Sequence, residues 1–334
     1  MRRRAWAWSV VMLAATAEAE PGLRLEAAGG YDSNSTRSEG EAETGGAAAR
    51  LVVDLSESAR PASGWRVDGA WQGGVVRFLE PARQGEDALY QRVDAALRGV
   101  LVDRLTVGAV AELRDRSTRA PRHPRDFTLI RATAPVGYDV AGWSFELAPV
   151  GEWFHYKPDG SYDATSAGGR ARVAWTRARW QASVYGEWLG RDYRGDEEGR
   201  ASDALRRAGA GLRYAGTWLG TVGYGWSDND TTRLEGGYAR HAINVSATVP
   251  LPGAVLVSGR VSVVRILHAE AQALPDDQVL DDEGRSAVAL RVERPVGDEW
   301  SLVAHGGWWG SPFETGPDYT RWLGLLGVSY GRLR

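Results

Sequence analysis

Residues 180–188 read Trp-Gln-Ala-Ser-Val-Tyr-Gly-Glu-Trp, and this stretch decides the fold class. In an extended chain Trp180, Val184 and Trp188 share one face, while Gln181 and Glu187 share the other. Strict alternation of apolar and polar side chains is the period of a β-strand whose two faces meet different surroundings. The stretch therefore predicts a strand with one apolar face that is bounded at both ends by tryptophan.

The same period recurs along most of the chain and predicts about sixteen strands, within a range of 14–18. No convincing helical period follows the first 19 residues. The strands are predicted near residues 22–32, 45–56, 64–77, 88–102, 104–115, 126–139, 142–156, 165–177, 179–192, 203–215, 217–228, 237–249, 254–267, 283–294, 299–310 and 319–332. Linkers after even-numbered strands are mostly short, with a somewhat longer one at 57–63, and those after odd-numbered strands are generally longer and acidic. This pattern predicts a transmembrane antiparallel up-and-down β-barrel of the outer-membrane kind, with both termini in the periplasm.

Tryptophan spacing supports a barrel in lipid. Five pairs are separated by 6, 10, 8, 8 and 8 residues, all even, so both members of a pair face the same way. The pairs are Trp65/Trp71, Trp143/Trp153, Trp180/Trp188, Trp218/Trp226 and Trp300/Trp308. Eight residues span about 26 Å along a strand and roughly 20 Å vertically after tilt, close to the apolar band that aromatic girdles flank. We interpret these residues as two aromatic girdles; a soluble sandwich would not need them.

Composition and the amino terminus agree with an exported barrel. The 334 residues have a mean hydropathy of -0.35, which excludes a helical membrane bundle but suits strands that face water on one side. Residues 1–4 are basic, residues 5–15 are apolar, and Ala17 and Ala19 are small. This is the pattern of a secretory signal cleaved after Ala19. We predict a cleaved signal peptide over 1–19 and one outer-membrane barrel domain over 20–334.

The polar faces of the predicted strands give candidate lumen residues. Fifteen are basic: Arg24, Arg50, Arg66, Arg92, Arg98, Arg114, Arg131, Arg170, Arg172, Arg207, Arg213, Arg240, Arg260, Arg285 and Arg291. Nine are acidic: Glu26, Asp54, Asp68, Asp94, Glu112, Glu146, Glu152, Glu187 and Glu293. Guanidinium groups bind carboxylates and sugar oxygens in pairs, so an excess of arginine predicts a conduit for anionic or hydroxyl-rich solute. For any single arginine, the bracing of a wide barrel is the more economical explanation.

The sequence does not indicate an enzyme, a cofactor or a metal site. Cysteine is absent, and the five histidines lack metal-ligand spacing. Ser262 or Ser329 could be paired with His241 or His305 on composition, but no motif joins them. Acidic loop segments such as 228–230 lack the glycine and terminal glutamate of a calcium loop, so a solvated rim is the better interpretation. No nucleic-acid partner is expected.

A sequence resemblance to known Gram-negative barrels implies a function. Gly30-Tyr-Asp-Ser-Asn34 resembles the opening of several Gram-negative barrels, including ones tied to polysaccharide export and surface-protein assembly. The arginine-rich chain with a single lysine is similar to the barrel-only exopolysaccharide or capsule export components of myxobacteria, and its lumen resembles that of alginate-export barrels. The resemblance implies a polysaccharide conduit that works with a periplasmic export protein, lies among outer-membrane lipid and lipopolysaccharide, and is inserted by the barrel-assembly machinery.

Two other functions remain open at this point. A diffusion porin for small anionic or sugar solutes would have the same fold and the same basic lumen. A structural barrel of an envelope complex, in motility or adhesion, would make the lumen incidental. Conductance and the surface polysaccharide of a deletion strain distinguish the three.

Overall fold

The structure is a computed structural model that describes residues 22–34, 45–121, 123, 126–158, 160, 163–194, 202–231, 237–268, 285–310 and 320–332. The predicted signal peptide over 1–19 lies outside these residues. Among the described residues, no helix is long and apolar enough to cross a lipid bilayer.

Sixteen strands form one sheet, and each is antiparallel to its neighbours. They are β1 (Gly22–Asp32), β2 (Gly46–Ala62), β3 (Trp65–Phe78), β4 (Ala88–Val102), β5 (Leu105–Thr118), β6 (Phe127–Thr133 and Val136–Val140), β7 (Trp143–Tyr156), β8 (Ala164–Arg177), β9 (Trp180–Tyr193), β10 (Ser202–Ala215), β11 (Leu219–Thr231), β12 (Tyr238–Leu251), β13 (Val255–His268), β14 (Ser286–Pro295), β15 (Trp300–Gly310) and β16 (Thr320–Arg332). Strand β6 has two segments because Pro135 has no N–H to donate to the ladder. Its register against β5 and β7 is the same on both sides of Pro135, so it is one strand.

The sheet closes on itself. Strand β1 pairs with β2 on one side and with β16 on the other, so no edge is left open. The predicted all-β fold with sixteen strands is confirmed. One boundary was wrong: residues 57–62, expected in a linker, continue β2, which pairs with β3 down to Ala62 and Trp65 through an irregular register. Serine, glutamate and proline in this segment concealed the strand from a hydrophobic pattern.

The two ends of the barrel differ. At one end short turns join even-numbered strands to the next odd-numbered strand, as at Ala141 (φ 49°) and Gly142 (φ 84°), whose paired positive φ values fit the twist of a tight hairpin. At the other end longer segments join odd to even strands, and one holds a 3-10 helix over Pro81–Glu86 that the sequence did not predict. We call these the turn end and the loop end.

Each strand presents one apolar face outward. Val222 is 51% exposed, Leu302 51% and Leu326 72%, while the residues next to them along the chain point to the other face. Half of every strand therefore faces the interior of the ring and carries most of the charge. Such a ring satisfies its backbone internally and can place its apolar belt in lipid.

The wall bends sharply at two seams. At the β8–β9 seam a methyl group on inward-facing Gly168 would overlap the carbonyl oxygen of Trp188. At the β16–β1 seam the same holds for Gly327 against Ala27, and for Gly30 against Gly324. Only glycine lets two backbones approach this closely on the concave side of a bend. The seams lie eight strands apart in either direction, so they divide the ring into two eight-stranded halves.

Candidate functional site

The candidate site is the inner wall of the ring, where the structure places the sequence-predicted lumen residues. The alternation of exposed apolar and less exposed polar residues puts twelve arginine and three glutamate candidates on inward faces. These are Arg50, Arg66, Arg92, Arg98, Arg114, Arg170, Arg172, Arg207, Arg213, Arg240, Arg260, Arg291, Glu112, Glu152 and Glu187. Arg285 directly precedes β14, outside the strand. Whether any of them contacts a solute stays a prediction.

The first corner clasp consists of Arg24, Glu26, Arg291, Glu293 and His305 and lies at the β16–β1 bend. Arg291 Nη1 lies 2.6 Å from Glu26 Oε2, and Arg24 Nη2 lies 2.9 Å from Glu293 Oε2. Both pairs join β14 to β1 across two intervening strands. His305 Nε2 lies 2.8 Å from Glu26 Oε1, and the Glu26 side chain is 6% exposed. The clasp therefore bridges the inside of the bend.

The second corner clasp consists of Arg131, Glu152, Glu187, Arg191 and Arg207 and lies at the β8–β9 bend. Arg131 of β6 pairs with Glu152 at 2.6 Å and also with Glu187 of β9, again across two strands. Arg207 Nη1 adds an ion pair to Glu187 Oε1 at 3.0 Å. The two glutamates are 5% and 3% exposed, so their charges are buried with arginine partners on several sides.

The two clasps share a second feature. Arg24 Nε donates to the Ser329 hydroxyl at 3.1 Å, and Arg191 Nε donates to the Ser166 hydroxyl at 3.3 Å. Each serine lies on the strand just before its seam, and each arginine lies on the strand just after it. The two seams are thus held by equivalent contacts. No repeat in the sequence predicts this equivalence.

Apolar side chains line the inner wall near the second corner. The sequence had predicted polar side chains on the inward faces. Val150, Leu189 and Leu205 point inward and form a cluster; Leu189 and Leu205 are 1% exposed. Counting only polar residues as lumen-facing missed this packing. The second corner is therefore filled by side chains.

Strands β3–β5 carry three inward carboxylates among their arginines. Arg66 lies 2.7 Å from Asp68, and Arg114 lies 2.6 Å from Glu112. Arg92 pairs with Asp94 at 2.8 Å and with Glu112 at 3.2 Å. Three arginines of this wall are therefore paired with carboxylates of the protein.

Strands β10–β13 are different. Their described inward positions hold Arg207, Arg213, Arg240 and Arg260 but one carboxylate, Asp203, which is buried at the loop end. The Asp203 carboxylate accepts hydrogen bonds from the Tyr193 hydroxyl at 2.7 Å and from the Asn229 amide at 3.1 Å. No carboxylate among the described residues lies within 4 Å of Arg213 or Arg260. This wall therefore presents positive charge to the lumen.

All ten tryptophans of the predicted girdles lie on the outward face: Trp65, Trp71, Trp143, Trp153, Trp180, Trp188, Trp218, Trp226, Trp300 and Trp308. The structure adds rings that the pair spacing missed. Tyr214 lies between Trp180 and Trp218, with ring centroids 4.9 and 4.7 Å away, and Tyr330 lies 5.0 Å from Trp300. These rings form a belt at the turn end.

The closed ring of sixteen antiparallel strands, apolar outside and polar inside, is the fold of outer-membrane β-barrel proteins. No protein-family model matches the chain, and no curated protein matches it by sequence. Among solved structures, an anion-selective porin from Comamonas acidovorans is similar with a TM-score of 0.52 at 10% identity, over 94% of this chain and 99% of that chain. A bacterial polysaccharide outer membrane secretin is similar with a TM-score of 0.47 at 11% identity, over 93% and 98% of the two chains. A loop-deletion mutant of OmpT, an outer membrane protein of Vibrio cholerae, has a TM-score of 0.45 at 12% identity, over 94% and 98%. At these identities the porin likeness defines the fold.

Proposed function

We propose that the barrel is the outer-membrane conduit through which a polysaccharide reaches the cell surface, together with a periplasmic export protein. In this proposal the turn end and both termini face the periplasm, because short turns lie on that side in bacterial barrels. The proposal assigns no catalytic step, cofactor or metal to the chain.

One observation carries the proposal. The wall formed by β10–β13 combines arginine with hydroxyl and amide side chains and leaves Arg213 and Arg260 without a carboxylate within 4 Å among the described residues. Arginine left unpaired in a wet lumen would bind carboxylates or sugar oxygens of a passing chain through paired hydrogen bonds. Sixteen strands leave an aqueous lumen by geometry, which accommodates such a chain.

Deletion of the gene tests the proposal. We expect surface polysaccharide to disappear while intracellular synthesis continues, and a plasmid copy of the full chain to restore it. Normal surface polysaccharide in the deletion strain would refute export. The control is a strain that carries a copy without the secretory signal over residues 1–19, which should not complement.

A diffusion porin for small anions is the second candidate, since the same unpaired arginines would attract them. The two functions differ in conductance. A porin would give a steadily open, anion-selective current in planar bilayers, and its deletion would leave surface polysaccharide unchanged.

A further inference from the structure

A row of hydrogen-bonding side chains crosses the inner wall from β9 to β13. The row consists of Gln181, Arg213, Thr221, Ser246 and Arg260, each the direct register partner of the next. Adjacent strands lie about 4.8 Å apart, so the two arginines are separated by roughly 14 Å along the wall. Because barrel strands tilt, a row perpendicular to them climbs the lumen obliquely.

The middle of the row is already organised. The hydroxyls of Thr221 and Ser246 are 2.7 Å apart and hydrogen-bonded to each other, which leaves acceptor capacity on both oxygens. Arg260 Nη2 donates to the Asn244 side-chain oxygen at 3.4 Å, one rung toward the loop end. The guanidinium of Arg260 is therefore oriented without being neutralised.

A bare patch lies directly beside the row. Gly211 pairs with Gly223, and Gly209 pairs with Gly225, so four inward positions on β10 and β11 carry no side chain. At Gly225 the position that a Cβ atom would take has no other atom within 4 Å, apart from those of Gly225 and its chain neighbours. The Tyr185 ring from β9 covers Gly209, so the open part of the patch lies over Gly211, Gly223 and Gly225. The wall thus offers a flat recess between an aromatic ring and a line of donors.

We infer that this row and its glycine recess form a binding track for acidic sugar units, such as uronates, inside the lumen. The recess gives a pyranose ring room to lie against the wall, Thr221 and Ser246 meet its hydroxyls, and Arg213 and Arg260 each take a carboxylate. Because roughly 14 Å separates the two arginines, they would bind carboxylates of different sugar units. The inference rests on the proposed function and narrows its substrate to an acidic polymer.

The opposite wall explains why the track lies here. On β3–β5 arginines are paired with Asp68, Asp94 and Glu112, whose carboxylates would repel a polyanion. On β10–β13 the one inward carboxylate among the described residues, Asp203, is buried at the loop end, away from the row. A polyanion therefore finds its favourable surface on one side of the lumen.

Calorimetric titration of the purified full barrel in detergent with hexameric oligogalacturonate tests the track, whether or not the pore conducts. We expect binding to the native chain, and at least tenfold weaker binding to R213Q/R260Q. The variant T221A/S246A should bind several-fold more weakly while keeping acidic selectivity. Neutral maltohexaose should bind at least tenfold more weakly than the acidic oligomer.

The matched control is R206Q. Arg206 points outward near the loop end, where it lies 3.1 Å from Asp228, and its loss changes barrel charge without touching the row. Folding of every variant is checked by heat-modifiable migration. No binding to the native chain, unchanged binding to R213Q/R260Q, or equal binding of the neutral oligomer would each overturn the track. If R213Q/R260Q binds normally and restores export in the deletion strain, the track fails while the conduit stands.

Discussion

Arg291 Nη1 lies 2.6 Å from Glu26 Oε2, although two strands separate β14 from β1. On an evenly curved wall this path would cover about 14 Å between the two backbones. The contact forms because the wall folds inward at Gly327 and Gly30, which shortens the chord. The Arg131–Glu187 pair repeats the arrangement at the opposite seam. The bends in the closed ring therefore also bring these charged side chains into contact.

The Arg291–Glu26 pair should contribute measurable coupling to stability. In a double-mutant cycle with R291Q and E26Q we expect an interaction free energy of about 0.5–3 kcal/mol, because the Glu26 charge is buried with its partners. Urea unfolding from lipid vesicles measures it. The exposed Arg206–Asp228 pair is the matched control, with an expected coupling of about 0.2–1 kcal/mol. A coupling for Arg291–Glu26 no larger than the control would contradict a stabilising clasp.

Gly168 should be intolerant of a side chain. In G168A the new methyl group meets the carbonyl oxygen of Trp188, so the seam must open, at a cost of about 1–3 kcal/mol or more. Gly225 also faces inward but has open space around it, so G225A should stay within about 0.5 kcal/mol of the native chain. Heat-modifiable migration and the urea midpoint give the comparison. Equal behaviour of the two variants would argue against a bend at the β8–β9 seam.

The wall was predictable from sequence because a barrel strand has two chemically different faces. Alternation at 180–188 identified the apolar outward face and the inward Glu187 correctly. It failed at 57–62, where polar residues extend β2, since a segment near the end of a strand has no apolar face to reveal its period.

The contacts across the lumen were not predictable. Glu26 and Arg291 are 265 positions apart in sequence, and nothing in either neighbourhood specifies the other. Arg213 and Arg92 looked alike as inward arginines of alternating strands. What separates them is the register, which gives Arg92 two carboxylates and gives Arg213 the hydroxyl of Thr221 as its neighbour on β11. Register depends on closure of the whole ring.

Glu80 should make the loop end sensitive to acid. The Ala47 backbone N–H donates to the Glu80 carboxylate at 2.8 Å, and this bond lowers the pKa of Glu80 below its ordinary value of 4.5. A lowered pKa means that the stabilisation is complete above the ordinary value and is lost as pH falls through the folded value. We expect the protection factor of the Ala47 amide to drop on going from pH 7 to pH 3.

The neighbouring Leu79 amide supplies the control for Glu80. It donates to the Ala47 carbonyl at 3.0 Å, a bond that involves no titrating group. Its protection should change little over the same range, and E80Q should remove the acid dependence at Ala47. Parallel loss of protection at both amides would point to general unfolding of the loop end instead.

Lys157, the one lysine of the chain, should react slowly with amine reagents. Its Nζ lies 2.7 Å from Asp115 Oδ1, 2.8 Å from the Arg116 carbonyl oxygen and 2.7 Å from the Ser117 hydroxyl, so all three N–H donors are used. Acylation needs the nitrogen to leave these three partners and reach the reagent. We expect D115N/S117A to accelerate labelling several-fold while heat-modifiable migration stays unchanged. The urea-unfolded chain sets the limiting rate, and native labelling at that rate would show that the three bonds do not hold the ammonium group.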